Sequence, residues 1–270
     1  MRIENSLLNT SFLGNPVLQP PPLCWNSPLE SAKLKNSELH LWQANLGADD
    51  WSVDIFYDFL SCDEKQRVKD FHLEHLQRRF IINRGLLRTI LSLYLPMPAR
   101  EIIFLYGPSR KPSVQVSSQH AIEFNLSHSN DMFLLGVNKT YFIGIDVESI
   151  HLPLNYIELA RRVFNKQIYQ ELISLPTEKQ YDYFFQQWTL KEAHLKALGL
   201  GLNYLHSDNH RLTPESEHPP LDIDWLNLNF IPKPGYIASA VLKLTNTTRE
   251  TNLELQTFTA MNNFFNLTAQ

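Results

Sequence analysis

Between positions 39 and 46 apolar and polar residues partly alternate (ELHLWQANL), the two-residue period of a half-buried strand. A helical stretch is expected after DDWSVD. From 62 to 95 the apolar Val68, Phe71, Leu76, Phe80, Ile81, Leu86, Leu87, Ile90, Leu91 and Leu95 recur mostly at three- and four-residue spacing, which predicts helices that bury one face. EIIFLYG reads as a strand ending in the turn YGPSRKP, and AIEFNLSHS and MFLLGVNKT read as two more. YFIGIDVESI is apolar on both faces until its acidic end, as for a strand that runs through a core and emerges at a site. Helical periodicity returns at about 155–163, 165–174 and 178–199, the last stopped by Gly199 and Gly201. Positions 203–220 read as a polar loop, DWLNLNF and GYIASAVLKL as strands, and the tail after Leu244 as one more edge strand or a frayed end. Strand, helices and strands therefore occur twice in succession, an α+β pattern.

Composition narrows the class. With 270 residues, 43% hydrophobic and 19% charged, the chain can bury a sizeable core. Its 9 Gly and 16 Pro follow no short period, which removes collagen-like and solenoid architectures. Residues 1–36 are rich in Asn, Ser and Pro, including PVLQPPPL, and are expected to form a loosely ordered extension over the surface. A formal charge of -4 and a pI near 6.2 argue against a nucleic-acid partner. Two cysteines, Cys24 and Cys62, are too few for a metal quartet or a disulfide framework and fit a reducing compartment. The start lacks a signal-peptide pattern and no apolar run reaches bilayer length, so a cytoplasmic protein without a membrane partner is expected.

Several clusters could carry chemistry. Asp146 and Glu148 stand two apart on a strand, on the same face and about 6.6 Å from each other along it. At an effective dielectric near 20 their repulsion is about 2.5 kcal/mol, which a hard cation such as Mg2+ would turn into binding. A strand end entering water explains the same pair without a metal. Glu192 and Lys196 in WTLKEAHLKALG share a helical face, either as a solvated ion pair or as a third carboxylate and a cation for phosphate oxygens. His128, in FNLSHSN with Asn125, Ser127 and Ser129, ends a predicted strand and offers donors to a phosphate, or is simply a structural histidine. Arg110, Lys111 and Pro112 form a basic turn. Between Glu64 and Arg88, seven Lys or Arg face three acids, either a solvated helix face or a docking face for phosphate.

Taken together and in this order, FNLSHS, GIDVE and WTLKEAHLK resemble the three signatures of the 4'-phosphopantetheinyl transferases of the Sfp/HetI-like type, with a weaker likeness from about 61 to 240. The resemblance implies a monomer of two similar halves, each a small antiparallel sheet packed on a long helix and related by a pseudo-twofold. The halves would be 37–141 and 142–270, with coenzyme A and Mg2+ (or Mn2+ as a substitute) between them. It implies that Asp146, Glu148 and Glu192 hold the metal against the pyrophosphate and that Lys196 neutralises phosphate oxygens. Arg67, His128 and nearby Arg79 would grip the 3'-phosphate, Arg110, Lys111 and Pro112 would contact adenine, and Ser127 would line the nucleotide site. The implied reaction is attack of a carrier-protein serine on the β-phosphate of coenzyme A, releasing 3',5'-ADP, with Glu192 and Lys196 as catalytic residues. The apo acyl or peptidyl carrier protein would be the partner. A carboxylate bound to Mg2+ is a poor base, so the metal role of Glu192 outweighs its role as base.

Two departures from the family pattern stand out. Arg110 replaces the usual Gly of the adenine turn, and Ile168 stands where many relatives carry an acid. A metal-dependent nuclease or phosphoesterase would use a similar acidic set but fits the acidic chain poorly. A non-catalytic module that binds coenzyme A or a carrier protein would not require all three carboxylates.

Overall fold

The computed structural model describes residues 8–12, 15–28, 32–107, 110–150, 155–200, 225–244 and 253–261. The first half contains β3 (Glu38–Asn45), helices α1 (Val53–Phe59), α2 (Cys62–Asp70) and α3 (Glu74–Ser92), a short ribbon of β4 (Phe104–Tyr106) and β5 (Pro112–Val114), then β6 (Glu123–Ser129) and β7 (Met132–Asn138). The second contains β8 (Phe142–Ser149), helices α4 (Tyr156–Val163), α5 (Lys166–Ser174) and α6 (Thr177–Ala197), then β9 (Trp225–Phe230) and β10 (Tyr236–Lys243). Two strands precede them, β1 (Leu8–Phe12) and β2 (Asn15–Leu18), and β11 (Glu254–Thr259) follows. The predicted polar loop at 203–220 lies outside the described residues.

In each half the first strand pairs with the third and the third with the second, giving β3-β7-β6 and β8-β10-β9, all antiparallel. The helices are inserted between the first and second strands of each set. Both sheets then gain a parallel strand from the far end of the chain: β11 beside β3, and β2 beside β9. The sheets are thus mixed rather than purely antiparallel, and they do not respect a division at 141/142.

The two-residue period explains the layers. On β3, Leu39 and Leu41 share an apolar layer with Leu134, Ile143, Ile145, Leu228 and Ala240, between the two sheets. Trp42 and Ala44, of opposite parity, pack with Ile82, Leu86 and Ile90 of α3 on the outer face of the first sheet. Phe184, Leu190 and Ala193 of α6 pack with Ile237 and Val241 on the outer face of the second. Of the apolar residues predicted to face inward from 62 to 95, Leu76 is instead exposed.

Two sequence expectations change. EIIFLYG yields only the three-residue β4, paired with β5, because Ile103, Leu105 and Tyr106 point to solvent rather than to a sheet core. The supposed loose extension includes buried Val17 and Leu18 (1% and 2% exposed), which alternate onto the two faces of the second sheet. It then crosses to the first sheet, where Asn26 donates its backbone N–H to Thr257 O (3.0 Å) and accepts from Thr259 N (2.8 Å). Trp25 Nε1 donates to Pro232 O at 3.0 Å on the way. Among the described residues no helix is long and apolar enough to cross a membrane.

Candidate active site

β6 and β8 are edge strands of different sheets, and they lie side by side without a backbone ladder. An unpaired strand edge must satisfy its backbone groups by other means. Here alternate polar side chains of β6 do part of this, and they also meet the carboxylates of β8. Asn125 Oδ1 accepts from Ile145 N (2.8 Å), Ser127 Oγ donates to Asp146 Oδ1 (2.9 Å), and Ser129 Oγ donates to Glu148 Oε2 (2.8 Å) while accepting from Ser149 N (3.2 Å). The two-residue step of FNLSHS matches the two-residue step of GIDVE, so the signatures are two sides of one seam.

α6 closes the seam from above. It lies unusually close to β8: a Cβ built on Gly144 would sit 1.8 Å from Ala193 O. That approach brings Glu192 and Lys196 over the carboxylates. Lys196 Nζ lies 2.7 Å from Asp146 Oδ1 and 3.0 Å from Ser127 Oγ. Asp146 and Glu192 are only 3% and 4% exposed.

Electrostatics follow from this crowding. Burial raises the Asp146 carboxyl against the pull of Lys196 and Ser127. Burial and the Asp146 charge raise Glu148, which also hydrogen-bonds Trp188. Burial, with Asp146 beside it, pushes Glu192 up to about 7. Asp146 Oδ2 and Glu192 Oε1 are buried with no hydrogen-bond partner. Two unpartnered buried carboxylate oxygens are costly unless a cation serves them, and three oxygen-donor side chains suit a hard divalent ion. Among the described residues no three His, Cys, Asp or Glu side chains are already arranged to hold a metal, and the ammonium of Lys196 sits on Asp146 instead.

The remaining candidates are distributed around this seam. His128 is exposed on the face of β6 away from the seam, and partial desolvation together with the charges of Arg79 and Lys196 lowers its imidazole. Arg79 Nη1 lies 3.7 Å from Asp131 Oδ1. Arg67 is exposed, its guanidinium 5.4 Å from the centroid of the Phe80 ring, and nothing ties it to His128. Arg84 and Arg88 are taken up by Glu64 at 3.0 and 2.7 Å, so they are structural members of the basic segment. Arg110 has a left-handed backbone (φ 62°), the conformation that favours Gly. Lys111 reaches the second half, its Nζ 2.9 Å from Ile143 O. Burial lowers Lys111 and raises Glu123, each partly offset by the other. Pro112 opens β5. Gly144 and the serine-to-carboxylate pairing of Ser129 with Glu148 were not anticipated; matching two-residue steps in the two strands were the signal for the pairing.

A model described as 4'-phosphopantetheinyl transferase superfamily matches residues 142–230, and one described as 4'-phosphopantetheinyl transferase, N-terminal, matches residues 42–140. The 4'-phosphopantetheinyl transferase HetI of Nostoc sp. is 34% identical over 221 residues, covering 81% of this chain and 93% of that protein. The chain belongs to the 4'-phosphopantetheinyl transferase family. Further relatives are the transferases psf-1 of Bacillus pumilus (35% identical over 59% of this chain and 66% of that one) and Sfp of Bacillus subtilis (28% over 55% and 64%). A 4'-phosphopantetheinyl transferase is an enzyme, and the boundary between its two matched models falls at β8, the strand that carries Asp146 and Glu148.

Proposed function

We propose that this transferase moves the 4'-phosphopantetheine group of coenzyme A to a serine of an apo acyl or peptidyl carrier protein, in a divalent-dependent reaction that releases 3',5'-ADP. The observation that carries the reading is the convergence of Asp146, Glu148, Glu192 and Lys196 on one buried seam, with two carboxylate oxygens unpartnered. Asp146, Glu148 and Glu192 would hold Mg2+, which when bound supplies positive charge to the pyrophosphate oxygens. Lys196, on the same face of α6 as Glu192, would offset charge on the transferring phosphoryl group and the leaving oxygen.

The other groups would position the nucleotide. His128, Arg79 and Arg67 would receive the 3'-phosphate. The turn of Arg110, Lys111 and Pro112, anchored to β8 through Lys111, would border the adenine. Ser127 would hold Asp146 in orientation while lining the nucleotide site. Glu192, raised toward neutral pH by its surroundings, is the candidate to accept the serine proton when it is not committed to the metal.

The test is to incubate the protein with coenzyme A, Mg2+ and an apo carrier protein and to follow the carrier's intact mass with and without EDTA. A Mg2+-dependent gain of one phosphopantetheine is expected, absent from Asp146→Ala. Transfer that is indifferent to both EDTA and Asp146→Ala would sink the metal assignment.

A further inference from the structure

A row of buried polar groups runs beneath α6 from the seam across the second sheet. In the pairing of β10 with β8, Ser239 is directly opposite Asp146; in that of β9 with β10, Asn229 is directly opposite Ser239. Opposite residues on paired strands share a face, so Asn229, Ser239 and Asp146 form one transverse polar row on the surface that α6 covers. Thr189 of α6 stands over the middle of it, with Thr189 Oγ1 and Ser239 Oγ 2.8 Å apart. Asn229 Nδ2 donates to Ser239 Oγ at 3.0 Å, and Thr189 Oγ1 lies 2.9 Å from Phe185 O.

Proton accounting gives this chain one direction. The Asn229 amide can only donate through Nδ2, Ser239 accepts it and passes its own proton to Thr189, and Thr189 donates to the carbonyl of Phe185. Thr189 and Ser239 are fully buried, so removing the Thr189 hydroxyl leaves the Ser239 proton without its acceptor. One residue row further along, His194 and Asn227 hydrogen-bond in the same way between helix and sheet.

The consequence lies in the helical repeat. Thr189, Glu192 and Lys196 are spaced i, i+3 and i+7, so they lie along one face of α6. Apolar packing of Phe184, Leu190 and Ala193 tolerates a small rotation of the helix; a directional hydrogen bond does not. Any rotation that lifts Thr189 from Ser239 carries Glu192 and Lys196 off β8 through the same angle. We propose that Asn229, Ser239 and Thr189 are positioning residues that fix the rotation of α6 and thereby hold Glu192 and Lys196 against Asp146 and Glu148. This inference rests on the metal-holding role assigned above to the three carboxylates.

The test compares Thr189→Val, which keeps the shape and removes the hydroxyl, with Thr189→Ser, which restores it. Binding of Mn2+ alone, read from the electron paramagnetic resonance of the free ion, should weaken roughly 10- to 100-fold in Thr189→Val and recover in Thr189→Ser. kcat for transfer to the carrier should fall in parallel, while KM for coenzyme A stays near the parent value. If Thr189→Val loses its cooperative thermal transition, Ser239→Ala serves instead and should show the same split. Parent-like Mn2+ binding and kcat in the folded variant would overturn the positioning role alone. Absence of Mn2+ binding in the parent would overturn the metal reading, and this inference with it.

Discussion

Gly144 of β8 lies directly beneath Ala193 of α6, so close that a methyl group there would stand 1.8 Å from the Ala193 carbonyl oxygen and 2.7 Å from Ala197 N. Backbone atoms cannot step aside as a flexible side chain can, so the glycine sets the depth at which Glu192 and Lys196 sit. Gly144→Ala should therefore cost about 1–3 kcal/mol by overpacking. It should reduce transfer by more than its stability loss explains, because the helix is lifted from the seam. Thermal unfolding and the carrier-mass assay, run at a temperature where the variant is folded, separate the two effects. Wild-type transfer in a folded Gly144→Ala would show that the close approach is not needed.

Arg110 holds a left-handed backbone at φ 62° with a full side chain. Such a conformation costs an L-residue about 1–2 kcal/mol, which Gly avoids at some expense in unfolded-state entropy. Arg110→Gly is expected to be neutral to stabilising by up to about 1 kcal/mol, and Arg110→Ala to bring no such gain. Urea denaturation of the pair decides it.

Acid should loosen the junction of β3 with β11. Trp42 Nε1 donates to Tyr94 Oη at 2.6 Å, which leaves the Tyr94 hydroxyl proton available to His40 Nδ1 at 2.9 Å. The neutral imidazole then presents its Nε2 proton to Glu38, 3.4 Å away. Burial outweighs Glu38 and lowers His40 below its ordinary 6.5. A lowered folded value means the unfolded chain binds the proton first, so this contribution is present above pH 6.5 and is lost as pH falls below it. The thermal midpoint should drop on acidification below that point, and His40→Gln should flatten the dependence. A profile identical in both proteins would show that another group is responsible.

Leu18 joins the apolar layer between the sheets although it belongs to the Pro-rich N-terminal segment. Leu18→Ala should cost about 2–5 kcal/mol, as for a core leucine, and not the near-zero effect of a draped extension. Chemical denaturation measures it directly. An effect within about 0.5 kcal/mol would return the segment to the surface.

The helices and central strands were legible because each carries its own period. Val68, Ile81, Leu86, Ile90 and Leu91 recur at helical spacing and are buried, and the alternation of β3 assigns Leu41 and Trp42 to opposite layers. The carboxylates were legible through their local spacing: Asp146 and Glu148 had to share a face, as did Glu192 and Lys196. EIIFLYG misled because an apolar run reports only that residues are apolar, not that a sheet exists to receive them.

What local spacing could not contain was pairing between distant segments. The parallel addition of β2 to β9 and of β11 to β3 joins residues some two hundred positions apart, and neither strand has a period that names its partner. The same holds for Lys196 on Asp146, for Thr189 on Ser239 and for Gly144 beneath Ala193. Each residue's type was visible along the chain. Its contact depended on how two sheets stack and how deeply a helix settles, which are set by packing summed over the whole core.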